Sequence, residues 1–312
     1  MGNNQSNTHA IEYETFDKNI YDYTGFNWIP SYPSFRDTYI DDENIDTSKF
    51  KDICDMRKKI PSIPGDDKFG QQVIKICSTY INILLYKSQI LSKFHPSIYF
   101  TYYNMVTQFK IKQLHSFRMI FNSYKNFGFC SEIDCPSHDK SFSECKYPGD
   151  SCYTDAKKYR NINIYGVKNN LDMLKHLLNR DMMILVGFPI YTNFYNSRSS
   201  AVLTLPSDDD KEIGGLCGII LGYIEDDKRF IMLISKGKYW GDNGFIYVNY
   251  DYISDRMGAE CKVIVLNEEL IKLNDNEKKI SSRRLLGNGD SNYSSGSGGG
   301  RSNGEGDRPF YF

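Results

Sequence analysis

The sequence predicts an α+β fold with two lobes, and two observations carry that expectation. Apolar residues recur at helical spacing through the first half of the central region. Short apolar runs rich in β-branched and aromatic residues, bounded by turn signals, fill the second half. Helices followed by strands, without regular alternation, point to segregated layers and away from a doubly wound sheet.

The helical half rests on four patterns. Val73 to Leu91 carries Val73, Ile76, Cys77, Tyr80, Ile83 and Leu84 on one side, with Gly70 just before it. That reads as a buried helix. Ser97 to Val106 and Ser116 to Phe127 read as two more, the second ending at Gly128 as a C-cap. Asn169 to Asn179 is amphipathic. Met183 to Phe188 reads as a buried strand. Ile213 to Gly222 and Arg229 to Ser235 form a predicted hairpin turning at Glu225-Asp226-Asp227-Lys228, with further strands at Phe245 to Asn249 and Cys261 to Leu266.

The chain of 312 residues is 40% hydrophobic, enough for a real core, and its 24 Tyr and 19 Phe make it aromatic-rich. The net charge of -1 argues against a nucleic-acid partner, which calls for a basic face. The N-terminus is polar and lacks the apolar segment of a secretory signal, so secretion is not expected and an intracellular location is. The most apolar run, Met182 to Ile190, is about half the ~20 residues of a membrane helix. The eight cysteines suit a reducing compartment.

Residues 1–25 form a polar arm expected to be flexible. Lys278, Lys279, Arg283 and Arg284 open a basic stretch after the central region. Gly287 to Asp307 is almost entirely Gly, Ser, Asn and charge, a composition that cannot offset its own conformational entropy. The expected organisation is therefore an arm at 1–25, a folded domain at 26–270 and a disordered tail at 271–312. Met1-Gly2-Asn3-Asn4-Gln5-Ser6 matches the N-myristoylation pattern, which makes Gly2 a lipidation candidate and a membrane contact an expectation. One acyl chain binds membranes only marginally, so a second signal such as the basic stretch is needed.

An ordered series of short motifs resembles the papain-like cysteine peptidases, in the variant found in microbes and large DNA viruses. Phe26-Asn27-Trp28-Ile29-Pro30 and Pro33-Ser34-Phe35-Arg36-Asp37 resemble its pre-catalytic segment, placed here at 26–60. Asp55-Met56-Arg57 resembles the Asp-Leu-Arg at the start of the mature domain. Phe69-Gly70-Gln71-Gln72 is similar to the Leu-Gly-Ser-Cys turn that opens the central helix. Gly214-Gly215, running into Ile219-Ile220-Leu221-Gly222-Tyr223, resembles the strand bearing the catalytic His. Trp240-Gly241-Asp242-Asn243-Gly244-Phe245 is similar to the Trp-Gly-x-x-Gly-Tyr turn, and Tyr250-Asp251-Tyr252-Ile253-Ser254-Asp255 to a closing helix. The resemblance spans Phe26 to Leu266. It implies a helical left lobe, an antiparallel right lobe and a cleft between them.

The family's chemistry needs a Cys at a helix N-terminus, where the dipole and an imidazolium lower its pKa. It needs a His to take the proton, an Asn to orient that His, and a Gln to donate to the oxyanion. By resemblance these four positions hold Gln72, Leu216, Ile234 and Asp66. An amide is no nucleophile, and a carboxylate repels an oxyanion. Lys236 stands where an aromatic normally shields the Asn–His contact. Loss of chemistry with retained glycines and Trp240 is the pattern of a pseudoenzyme that acts as a binding or structural protein, holding a peptide segment or protein partner in the former substrate cleft. Two other functions stay open: an active cysteine peptidase with a relocated nucleophile, and a regulatory partner of an active relative.

Cys77 lies more than a turn into its helix pattern and reads as core. Cys217 neighbours Leu216 on a strand, so if Leu216 faces the cleft, Cys217 faces the core. His9, His95, His115, His138 and His176 read as surface or capping residues. Cys130, Cys135, Cys145, Cys152 and His138 share one loop-rich stretch. Zinc is the minority reading there, since tight Cys-x-x-Cys pairs are missing, and ordinary surface-loop thiols are expected. No cofactor and no metal is expected.

Overall fold

The computed structural model describes residues 25–266, apart from 41–44, 66–70, 89–93, 111–114, 138–141, 143, 161 and 254–256. The helical half is built by Gln72–Lys87 (α1), Ile98–Phe109 (α2) and Phe117–Phe127 (α3). Val73, Ile76, Cys77, Tyr80 and Ile83 are fully buried along α1, as their spacing demands. The helix stops at Lys87, short of the predicted Leu91, and the Ser88 N–H returns to the Leu84 carbonyl at 2.9 Å. Ser97 caps α2 through its hydroxyl, which accepts from Phe100 N at 3.1 Å. Gly128 ends α3 with φ +79°, and a Cβ there would stand 1.9 Å from the Ala156 carbonyl oxygen. Only glycine permits both the turn and that approach.

Three more helices follow: Asp150–Ala156 (α4), Leu171–Asn179 (α5) and Ser197–Ser200 (α6). The strands are Ile53–Asp55 (β1), Ile162–Val167 (β2), Ile184–Tyr191 (β3), Val202–Leu203 (β4), Glu212–Ile224 (β5), Arg229–Ile234 (β6), Phe245–Asn249 (β7) and Glu260–Leu266 (β8). They form one sheet in the order β2-β8-β3-β5-β6-β7-β4, with β1 also paired to β5. Every pairing is antiparallel except β4 with β7. The predicted α+β class is the observed one. The hairpin turns where expected, with Lys228 at φ +53° and its N–H on the Glu225 carbonyl at 3.1 Å.

Sequence reading missed β1, β2 and α4. Three residues are too few to show a period, Asn163 and Gly166 interrupt β2, and α4 spans only two turns. Of the predicted closing helix Tyr250 to Asp255, Tyr250–Ile253 form a 3₁₀ turn, while Ser254 and Asp255 lie outside the described residues.

Strand β5 is the spine of the sheet. It pairs with β3, β6 and β1, and α1 lies across it. The Tyr80 hydroxyl on α1 donates to the Met183 carbonyl at 2.6 Å and so ties the helix to the start of β3. Arg57 fastens the far side. Its guanidinium grips both Asp55 oxygens and reaches Asp242 and the Tyr247 hydroxyl, each at 3.0 Å. Partial burial would raise the Asp55 pKa, but the Arg57 hydrogen bonds and charge hold it below the usual carboxylate range.

Candidate functional site at the start of helix α1

Gln72 is the first residue of α1 and is fully buried. Its side-chain amide donates to the Gly215 carbonyl at 2.8 Å. Its own carbonyl lies 3.8 Å from the Cys217 thiol. Gln72 therefore contacts the residues on either side of Leu216.

Leu216 pairs with Phe188 across the sheet, and Gly218, two residues on, pairs with Ile234. Side chains alternate along a strand, so Leu216, Phe188 and Ile234 share one sheet face. Cys217 takes the other face and points at α1. The Cys217 thiol, fully buried in the core, is what β5 turns toward the first turn of the helix. Both Leu216 and Ile234 are fully buried, and Phe188 packs edge-on against Tyr252 on the same face. Asp66 and Gly2 lie outside the described residues, as do the basic stretch and the Gly/Ser-rich tail.

The start of β5 runs beyond the reach of β6, which leaves one side of Gly215 without a neighbouring strand. Opposite on β3 stands Pro189, which has no N–H to offer. The chain's own segment 26–29 fills the free side. Gly215 N donates to the Phe26 carbonyl at 3.0 Å, and Trp28 N donates to the Gly215 carbonyl at 3.1 Å. The other side of the segment bonds to the turn before α3: His115 N to the Asn27 carbonyl at 2.9 Å, and Ile29 N to the His115 carbonyl at 3.1 Å. The segment thus bridges the helical half and the sheet, and shares the Gly215 carbonyl with the Gln72 amide.

Trp28 anchors it. A Cβ on Gly187 would fall 2.1 Å from the indole ring, and one on Gly215 would fall 2.0 Å from the Trp28 carbonyl oxygen. These two glycines are a cradle for the indole and its backbone. Phe117 packs against the same ring at 6.1 Å between centroids. Lys236 lays its ammonium 4.2 Å from the Phe26 ring centroid.

Beside this plug lies an open hollow of 850 Å³ lined by Ile63, Arg198, Lys236, Lys238, Tyr239 and Trp240. Trp240 forms its floor, stacked on Phe194 at 5.1 Å with its indole N–H on the Ser197 hydroxyl at 3.1 Å. Arg198 lies over its ring. Sequence reading missed Gly187 and Arg198 as parts of this site. No local motif marks them, since they join it only through sheet pairing.

The remaining candidates fall elsewhere. Cys77 is fully buried, and burial pushes its thiol well above the ordinary range. His95 is exposed and His176 half-buried, as expected. His115 is the correction among the histidines: it is fully buried, with the Asn27 side-chain amide 3.3 Å from Nδ1. Cys130, Cys135 and Cys152 correct the surface-loop expectation, because all three are buried.

No family model matches the chain. An uncharacterized peptidase C1-like protein of Acanthamoeba polyphaga mimivirus is 25% identical over 265 residues, covering 74% of this chain and 83% of the relative. Among solved structures, xylellain, a cysteine protease from Xylella fastidiosa, superposes with a TM-score of 0.69 at 22% identity, over 78% of this chain and 96% of its own. The procathepsin B of Trypanosoma congolense superposes at 0.59 with 11% identity, over 74% and 82% of the two chains. The chain thus has the fold of the papain-like cysteine proteases, and its sequence is similar to that of a peptidase C1-like protein.

Proposed function

We propose that this chain is a catalytically inactive papain-like homologue that works by binding a protein segment. The observation that carries the reading is Gln72 at the first position of α1, its amide donated to the Gly215 carbonyl. A helix N-terminus lowers a thiol's pKa, but a carboxamide there does not ionise near neutral pH and its delocalised nitrogen lone pair is no nucleophile toward a peptide carbonyl. The second support is the Leu216 and Ile234 pair on one apolar sheet face, where the family's proton carrier and its orienting amide would stand.

The partner uses the hollow beside the plug, since residues 26–29 already occupy the free side of Gly215. Arg198, Lys236 and Lys238 around an aromatic floor suit a peptide that carries an acidic residue beside an apolar one. A viral setting, in a virus particle or factory, fits the mimivirus relative.

The test is turnover. Purified protein under reductant is offered a broad panel of fluorogenic peptides and an electrophilic thiol probe. No hydrolysis and no activity-linked labelling are expected. Turnover abolished by Cys77→Ser or Cys217→Ser would establish a relocated nucleophile and end this reading.

A further inference from the structure

Three cysteines that the cleft does not use meet in the helical half. Cys130 follows the end of α3, Cys135 closes the turn after it, and Cys152 sits on α4. Their Sγ atoms all lie within 4.8 Å of one another, and all three residues are buried. Tyr99, Phe100 and Ala156 surround them, with Phe127 and Tyr153 packed alongside.

Hydrogen bonds hold this constellation independently of the thiols. Ser97 donates its N–H to the Cys130 carbonyl at 2.9 Å and its hydroxyl to the Cys135 carbonyl at 2.6 Å. The Asp134 and Cys135 N–H groups both return to the Ser131 carbonyl. The Glu132 carboxylate accepts from the Ser137 N–H and hydroxyl at 2.6 and 2.8 Å. The turn is preorganised with its thiols converging.

We propose that Cys130, Cys135 and Cys152 bind one Zn²⁺ as three thiolates, with a fourth coordination position open. Zn–S bonds of about 2.3 Å set the sulfurs of a tetrahedral site roughly 3.8 Å apart, and sulfurs already clustered reach that with small rotamer shifts. Soft thiolates favour such an ion over the hard cations. A disulfide would consume two of the three sulfurs and leave the third idle in the same cluster.

An ordinary cysteine thiol is mostly protonated at neutral pH. The contact with Cys135 and then burial drive Cys130 far up, and burial followed by Cys135 raises Cys152. Binding is therefore an exchange: three S–H bonds break, three protons pass to solvent, three S–Zn bonds form, and the site carries a net charge of about −1. Affinity should rise with pH. The ion would clip the end of α3, the turn after it and α4 together.

The full chain, reduced and stripped with a chelator, is titrated with Zn²⁺ against a chromophoric competitor and with Co²⁺ as a spectroscopic probe. One ion per chain is expected, with thiolate-to-cobalt charge-transfer absorption. Zn²⁺ should protect Cys130, Cys135 and Cys152 from alkylation in mapped mass spectra and leave Cys145 as reactive as before. Loss of a supporting contact at a metal site already costs about 10–100-fold in affinity, so Cys135→Ala should lose at least that, and Cys145→Ala should lose nothing. No saturable uptake by the reduced chain, or uptake unchanged in Cys135→Ala, would overturn the site. So would protection that maps to other cysteines. The protection arm uses the unaltered chain, so a misfolded variant does not remove the test.

Discussion

The Gly215 carbonyl accepts two hydrogen bonds, from the Gln72 amide at 2.8 Å and from Trp28 N at 3.1 Å. One oxygen at the start of β5 thus joins the first residue of α1 to Trp28. Gln72 therefore ties the helix to the same sheet position that holds the 26–29 segment.

Restoring the nucleophile alone should fail. Gln72→Cys loses the bond to Gly215 and gains a thiol at a helix N-terminus, which should alkylate faster than a model thiol. No peptide turnover is expected, because β5 offers Leu216 and no imidazole to protonate the leaving amine. The family resemblance also puts the carboxylate Asp66 at the oxyanion position, where loss of even one donor costs about 10²–10³ in rate. The combined Gln72→Cys, Leu216→His, Ile234→Asn, Asp66→Gln variant should show at best weak hydrolysis and a lowered melting temperature, since new polar groups would enter an apolar face. A fluorogenic assay beside thermal melts checks both; robust turnover from Gln72→Cys alone would refute the Leu216 assignment.

Trp28→Ala should destabilise the fold by about 3–5 kcal/mol, the usual cost of emptying a buried aromatic site. The indole is 2% exposed and spans both halves of the molecule. Gly187→Ala attacks the same contact from the sheet side and should also destabilise, because its new Cβ would stand within 3 Å of the ring. Urea unfolding measures both. A Trp28→Ala loss below about 1 kcal/mol would mean the segment is held by its backbone bonds alone.

Glu225 gives a pH signature. Hydrogen bonds from Lys175 and then Lys228 lower its pKa from 4.5 to about 2. The group binds protons more weakly folded than unfolded, so its stabilisation is complete above pH 4.5 and fades as pH falls toward 2. Glu225→Gln should cost about 1 kcal/mol at neutral pH, the scale of a solvent-screened pair. It should also flatten the acid limb of the stability profile between those pH values. An unchanged acid limb would show that the pair contributes nothing. Lys175 also lies among the Phe50, Tyr223 and Tyr250 rings, so Lys175→Ala should cost more than Glu225→Gln.

Gly2 is testable apart from the folded domain. Protein made in a eukaryotic host with active myristoyl transferase should carry the acyl mass, and Gly2→Ala should lack it. An unmodified N-terminus in that host would reduce the pattern to coincidence.

The periodic elements were legible because each records its own burial. Val73, Ile76, Tyr80 and Ile83 line one side of α1 whatever they pack on, and the apolar run in β5 declares a strand covered on both faces. Asp55-Met56-Arg57 and the turn after Trp240 were visible as motifs, but their joining through Arg57 to Asp242 was not. His115 was misread because a lone histidine before a helix looks the same whether exposed or buried.

The amino-acid order by itself determined the long periodic elements, among them α1, α3 and the β5–β6 hairpin. Tertiary structure alone decided that Trp28 seats on Gly187, that the Cys217 thiol meets the Gln72 carbonyl, and that Cys130, Cys135 and Cys152 share one cluster. The reason is physical. Local periodicity is set by bonds along the chain, so it can be read along the chain. Contacts between distant segments depend on how the sheet twists and where each strand ends, and no spacing within one segment records the position of another.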